Sequence, residues 1–346
     1  MSTHRANRQH VTFSRTLAAC IAILMSLTLI GQAFSSQEKK VRPAERDKQT
    51  ENANPPQEGQ DQDEPVRLRA ELVVVSVTVT DPSGQYAHGL NAKDFALLED
   101  EAPQTINSFS SEEAPFAAAI LIDMSGSMEY KFGQVRGAAA SFLDHIREND
   151  QVAVYGFNNQ VRQFQDFSNV RDISDYVWDA KAENVTRLYD CMGEALEALA
   201  GRQEKRRAAL LISDGWDSSS SKSSLDSVMK KSLASGVTIY TVDLIDDDTM
   251  RGSSTQAMAL QRGRSDMKQF ADKTGGLYVH SPRGEKVEEA FTNIVEELRN
   301  QYTLTYYSTN TKRDGRWRKL SVGVRKQGLI ARARRGYWAA KGDIKK

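Results

Sequence analysis

The chain has 346 residues, 39% of them hydrophobic, with Lys+Arg and Asp+Glu both numbering 46. That length exceeds one small domain and predicts two folded units plus unfolded segments. The apolar content supports a sizeable core, and a formal net charge of zero singles out no charged partner for the chain as a whole.

The first stretch, MSTHRANRQHVTFSRT, carries Arg5, Arg8 and Arg15 and no acid, and an apolar run follows from Leu17 to Ile30. Small residues come next in GQAFSSQ. This order is that of a secretory signal peptide over residues 1–34, cleaved after Ala33 or Ser35, with an uncleaved N-terminal anchor as the alternative. The expected location is therefore exported: periplasmic, cell-envelope or extracellular. Removal of the signal leaves Cys191 alone of two cysteines, so no disulfide forms within the mature chain. Cys191 lies in the apolar-periodic stretch LYDCMGEALEAL and reads as a small core residue. Residues 35–65 are polar, proline-bearing and nearly free of large apolar side chains, a composition that predicts a disordered tether.

From Arg67 the pattern changes to period two. LRAELVVVSVTVTD alternates β-branched residues, PSGQ supplies turn chemistry, and short strand-like pieces continue to residue 114. A second β-rich block, residues 301–340, contains QYTLTYYSTN, RWRKLSVGVRK and GLIARARRGYW. Between them, residues 115–300 alternate apolar runs (FAAAILID, DQVAVYGFN, RAALLISD, GVTIYTVDL, GGLYVHS) with helical-period stretches. The helical stretches are GQVRGAAASFLDHI, VRDISDYVWDA, LYDCMGEALEAL, SLDSVMKKSLA, SDMKQFADKTG and KVEEAFTNIVEELRNQ. The fold class is accordingly α/β, a doubly wound, mostly parallel sheet inserted between two β segments (66–114 and 301–340) that pack as one small β domain.

In an open parallel sheet, binding sites form where the carboxyl ends of strands lead into helices. ILID ends at Asp123, and Ser125 and Ser127 follow at every second position, with Gly126 permitting a tight turn. LLISDG places Asp214 at the end of another strand, and ENVTRLYD places Thr186 just before a helix. Carboxylates and hydroxyls without histidine or thiolate make an oxygen-only nest suited to a hard cation: Mg2+, or Mn2+ or Ca2+. Each Ser or Asp by itself is also an ordinary helix cap.

DMSGSM, a loop threonine and a strand-end SDG, in that order, resemble the von Willebrand factor type A domain with its metal-ion-dependent adhesion site. The likeness covers residues 115–300. The flanking β segments resemble those of bacterial exported proteins related to von Willebrand factor A. The resemblance implies a Rossmann-type fold and a metal set of Asp123, Ser125, Ser127, Thr186 and Asp214. In such domains the serines and threonine tend to ligate directly and the aspartates often through water. Small residues commonly precede the threonine in the family, whereas ENV does here. The implied function is a metal-dependent adhesion or protein-binding module, gripping a carboxylate on a protein or glycan ligand, with no nucleic-acid partner. Membrane contact would come only through an uncleaved anchor. In related adhesion domains, ligand binding is coupled to a shift of the last helix, here KVEEAFTNIVEELRNQ. The alternatives are a structural scaffold with a purely structural metal, or a metal-dependent hydrolase.

Four other features read as ordinary. DSSSSKSS after Asp214 reads as a solvated loop, and Asp243, Asp246, Asp247 and Asp248 as a solvated acidic turn. The excess of Lys and Arg from Lys312 to Lys346 reads as decoration on outward strand faces that discourages edge pairing. No GxSxG or GxxxxGK[ST] motif occurs, and His280 at a strand end has no evident nucleophile beside it, so no catalytic residue is assigned.

Overall fold

The structure is a computed structural model. It describes residues 71–111, 114–171, 185–245, 255–280 and 282–342. The signal and tether segments, the helical stretch VRDISDYVWDA from residue 172 onward, and Asp246 to Asp248 lie outside the described residues. Among the described residues no helix is long and apolar enough to cross a membrane.

In chain order the elements begin with β1 (Leu72–Thr80), β2 (Phe95–Glu99), β3 (Ala102–Pro103), β4 (Ser108–Ser110), β5 (Phe116–Asp123) and α1 (Phe132–Asp144). There follow β6 (Gln151–Phe157), β7 (Val161–Ser168), α2 (Leu188–Ala200), β8 (Arg206–Ser213), α3 (Leu225–Ser235), β9 (Thr238–Asp243) and α4 (Thr255–Thr274). The last are β10 (Tyr278–His280), α5 (Glu285–Asn300), β11 (Tyr302–Tyr307), β12 (Trp317–Val324), β13 (Ile330–Ala333) and β14 (Gly336–Trp338).

The central sheet has the order β10-β9-β8-β5-β6-β7. Its strands pair in parallel except β7, which runs antiparallel to β6. Every residue of β5 is buried, which is why it reads as a continuous apolar run: a central parallel strand is covered on both faces. Residues Val135, Ala138, Ala139, Phe142 and Leu143 set the buried stripe of α1, and Val287, Ala290, Phe291, Ile294, Val295 and Leu298 that of α5. These two helices cover one face of the sheet. On the other face lie α2, α3 and α4, through Leu188, Leu196, Val228, Leu233, Met267 and Phe270. Each fully buried Leu, Ile or Phe contributes about 1.5–3 kcal/mol relative to exposure.

Strand β7 was not expected from the sequence. Its pattern, VRQFQDFS, leaves most residues half-buried or exposed, as an edge strand does, so no strong apolar run marks it. Helix α4 begins ten residues before the expected SDMKQFADKTG stretch, because its first half is polar and only one side is buried.

The flanking segments combine into two four-stranded sheets, β13-β1-β11-β4 and β14-β12-β2-β3. Antiparallel pairs join the two ends of the described chain, with Val75 opposite Leu304 and Leu97 opposite Val322. Val73, Val75, Val77 and Val79 point inward from β1 and meet Phe95, Leu97, Tyr302, Leu304, Tyr306 and Leu320 in a separate core. Alternation with period two is what places all four valines on one side.

The basic C-terminal block departs from its expected role. Arg332 pairs with Glu297 and donates to the Gly275 carbonyl at 2.8 Å. Arg334 donates to the carbonyls of Leu233 (2.7 Å) and Val74 (2.8 Å). Arg318 is buried against Asp314 and the Lys312 carbonyl. Their acceptors are carbonyls at a helix end (Leu233), in loops (Gly275 and Lys312) and in β1 (Val74), groups that need a donor when buried.

Candidate metal centre

Strand β5 delivers Asp123 to the carboxyl edge of the sheet, fully buried. Its two oxygens are held separately: Oδ1 accepts from the Ser125 N–H at 2.9 Å and Oδ2 from the Ser213 hydroxyl at 2.5 Å. The chain then turns through a 3-10 segment, Gly126–Lys131, before α1. This turn brings the hydroxyls of Ser125 and Ser127 to 3.0 Å of one another. The Ser127 hydroxyl donates to Asp214 Oδ2 at 2.5 Å, and Asp214 Oδ1 accepts from the Trp216 N–H at 3.0 Å. Asp123, Ser125, Ser127 and Asp214 thus form one hydrogen-bonded oxygen cluster across two loops.

Thr186 is buried on the same rim. Its N–H donates to the Ser218 hydroxyl at 2.9 Å, and its carbonyl accepts from the N–H groups of Ser218 and Ser219, both at 3.0 Å. The bonds of Thr186 therefore run through its backbone to the loop after Asp214. Its hydroxyl is not among the groups that knit the other four together.

Electrostatics follow from this packing. Burial, then the charge of Asp214, pushes the Asp123 carboxyl up to about 7, against the downward pull of its bonds to Ser213 and Ser125. Asp214 is also raised, chiefly by burial, with its bonds to Ser127 and Trp216 opposing. Two carboxylates are buried near one another; the Lys131 charge pulls Asp214 down without outweighing its burial, while the Lys131 ammonium bonds the Leu244 carbonyl. A hard divalent ion fits such a donor set, since it would supply the missing positive charge and takes oxygen ligands. Among the described residues no group of three or more His, Cys, Asp or Glu side chains is placed to hold a metal, so an ion here would depend on the hydroxyls.

Sequence reasoning missed several residues that shape the rim. Ser213 bonds Asp123 and also accepts from the Gly215 N–H at 2.8 Å; its place inside LLISDG was the available signal. Asp190, in the first turn of α2, accepts from the N–H groups of Ser221 (3.1 Å), Lys222 and Ser223 (both 2.8 Å). Asp217 accepts from the Tyr189 N–H at 3.2 Å and from the Ser220 hydroxyl. The serine-rich loop is exposed at Ser218, Ser219, Ser221, Lys222 and Ser224, as expected, while these two carboxylates pin its backbone by receiving the amides of Ser220 to Ser223. An acid on the buried side of an amphipathic helix was the signal for Asp190.

Of the expected solvated acidic turn, only Asp243 lies among the described residues, and there the expectation is corrected. Asp243 is fully buried. It accepts from Arg264 Nε at 2.6 Å, from the Tyr278 hydroxyl at 2.8 Å and from the Ile245 N–H at 2.8 Å. The cation that neutralises it comes from α4, 21 residues along the chain, a distance over which local sequence gives no warning. His280 Nδ1 lies 3.2 Å from the Tyr278 hydroxyl and 3.7 Å from Asp243 Oδ2. Cys191 is free and buried, and burial raises its thiol well above the ordinary range.

The model of the von Willebrand factor type A domain matches residues 119–275. No curated protein matches the chain. Among solved structures, an aerotolerance-related membrane protein from Bacteroides fragilis NCTC 9343 aligns at 15% identity with a TM-score of 0.38, over 53% of this chain and 98% of that one. The von Willebrand factor type A structure from Catenulispora acidiphila aligns at 12% identity and TM-score 0.44, over 72% and 74%. The pilus adhesin SpaC from Lactobacillus rhamnosus GG, in its open conformation, aligns at 10% identity and TM-score 0.43 over 75% of this chain. The match spans 47% of that adhesin's length.

Proposed function

Residues 119–275 are a von Willebrand factor type A domain, and from that premise we propose that the rim of Asp123, Ser125, Ser127, Thr186 and Asp214 is a metal-dependent adhesion surface of an exported protein-binding module. One observation carries the reading. Asp214, Ser127 and Ser125 form a continuous chain of short oxygen–oxygen contacts beside a buried Asp123, and nothing in a purely structural cap requires two carboxylates to be buried together.

Asp123 and Asp214 would fix and charge-balance a magnesium ion, with manganese or calcium as the other candidates, and Ser125, Ser127 and Thr186 would complete its inner shell. When bound, the ion supplies an electrophilic position for a carboxylate on a protein or glycan partner. The chain's own contribution is to orient the donors. Ser213 and the Ser125 N–H hold Asp123 by both oxygens, and the Trp216 N–H leaves one Asp214 oxygen toward Ser127.

Calorimetric titration with magnesium chloride tests the reading. The protein is expected to release or take up heat on binding, and the Asp123→Ala variant is expected to show none. Equal heats from both proteins would end the proposal, and turnover on a substrate panel would replace it with a hydrolase. A partner retained in chelator would favour the scaffold alternative.

A further inference from the structure

A second surface of the molecule shares no residue with the metal rim. Register places Trp317 of β12 directly opposite Trp338 of β14. Their ring centroids are 4.7 Å apart at an interplanar angle of 68°. Gly336, two residues before Trp338 on β14 and opposite Lys319, allows this arrangement: a methyl there would collide with the Trp317 indole. The two rings form the apolar floor of a groove of about 560 Å³, within the range of ligand sites. Trp317 remains 37% exposed.

Three cations stand around this floor: Lys273 from the last turn of α4, Lys319 from β12, and Arg335. No acidic side chain lines the groove among the described residues. The nearest pairings are long and open to solvent. Lys319 lies 3.9 Å from Glu101, and Arg335 3.9 Å from Asp272, with the two basic side chains 66% and 68% exposed. Exposed pairs of this kind are worth at most about 1 kcal/mol, so both cations are available to an incoming anion.

The shape of the aromatic pair narrows the occupant. The two indole planes stand at 68° to one another and Lys230 Nζ already lies over the Trp338 ring at 5.9 Å, whereas a single-stranded nucleic acid needs successive faces on which bases stack. A neutral sugar would bring no charge to match the three cations. An apolar centre with a charged rim is instead the anatomy of a protein interface, where Trp and Arg dominate the binding energy. We propose that this groove docks an extended acidic segment of a partner protein. An apolar side chain of that segment seats against Trp317 and Trp338, and its carboxylates reach Lys273, Lys319 and Arg335.

The test is fluorescence anisotropy on the purified full chain with labelled peptides of alternating Asp and Phe, alternating Asp and Ser, and alternating Lys and Phe, plus a short oligodeoxythymidylate. The Asp–Phe peptide is expected to bind, more weakly as salt rises, and the other three to bind at least about tenfold more weakly. Replacing Lys319 and Arg335 together by Glu should lower its affinity by about tenfold or more, the loss expected for close charge pairs at an interface. Both positions are exposed, so this variant keeps its fold, which a thermal melt verifies. Trp317→Ala should weaken the peptide similarly, whereas Asp123→Ala and chelator should leave it unchanged. Absence of Asp–Phe binding, undiminished binding to the charge-reversed protein, equal binding of the Asp–Ser peptide, or preference for the oligonucleotide would each overturn the proposal.

Discussion

Gly215 and Gly263 meet backbone to backbone. A methyl group on Gly263 would stand 2.5 Å from the carbonyl carbon and oxygen of Gly215, and one on Gly215 would stand 2.6 Å from those of Gly263. Gly215 also has a φ of +78°, the left-handed region that favours glycine. The contact seats helix α4 directly behind the loop that carries Asp214. The position of one proposed metal ligand is thus set by a helix that supplies none.

Gly263→Ala should therefore move the Asp214 loop. Alanine gains about 1 kcal/mol in helix propensity, but overpacking against rigid backbone costs about 1–3 kcal/mol, so the net effect is destabilising. The expected result is a lower unfolding midpoint together with weaker magnesium binding by calorimetry. A variant as stable as the parent with unchanged binding heat would show that this contact does not position Asp214.

Asp190 provides a test of the serine loop. Burial raises its carboxyl, yet the N–H groups of Ser221, Lys222 and Ser223 and the nearby Arg187 outweigh burial and hold it below 3.8. A carboxyl lowered in the folded state stabilises above its unfolded value, and that contribution disappears as pH falls through the folded value. The protein should thus lose stability below about pH 4 in part through this group. Asp190→Asn should flatten that portion of the acid limb and cost about 1–3 kcal/mol at neutral pH, the worth of hydrogen bonds to a charged acceptor. Denaturant unfolding across pH 2 to 7 measures both effects, and faster amide exchange at Ser221 to Ser223 should accompany them.

Arg206 clamps the end of α5. It is fully buried and its guanidinium donates to the carbonyls of Ala114 (3.3 Å), Leu298 (3.4 Å), Arg299 (2.9 Å), Ser111 (3.3 Å) and Gln301 (2.5 Å). One residue later β11 begins, and Glu297 in the same turn accepts from the Tyr240 hydroxyl at 2.8 Å. A shift of α5 of the kind seen in related adhesion domains would have to break this set. Arg206→Met leaves several buried carbonyls unmatched, and each unsatisfied group costs about 1–3 kcal/mol. The variant should unfold at lower denaturant and exchange the amides of α5 faster. Unaltered exchange there would mean that packing alone holds the helix.

Much of the architecture is legible in the chain before any tertiary contact is known. The apolar run of β5, broken only by its last residue Asp123, announces a central parallel strand, and the 3.6-residue periodicity of α1, α2 and α5 marks helices with one buried side. The valines of β1 alternate at every second position and indicate a half-buried sheet. Asp123, Ser125 and Ser127 sit within five consecutive residues, so their convergence needs only one turn. All of these are local signals: periodicity and turn chemistry are properties of neighbouring residues.

Tertiary structure decided whatever depends on partners remote in the chain. It put Ser127 against Asp214, 87 residues away, and Ser213 against Asp123, 90 away. It turned Asp243 from an apparent surface acid into the buried partner of Arg264, and drew Arg332 and Arg334 inward to bolt the β layers to the helices. It set Trp317 beside Trp338 over a glycine, making a groove from residues that look unremarkable in isolation. The physical reason is the same in each case. A charge or ring takes its meaning from what neutralises or covers it, and in this fold the covering group comes from another element, which only chain folding brings into range.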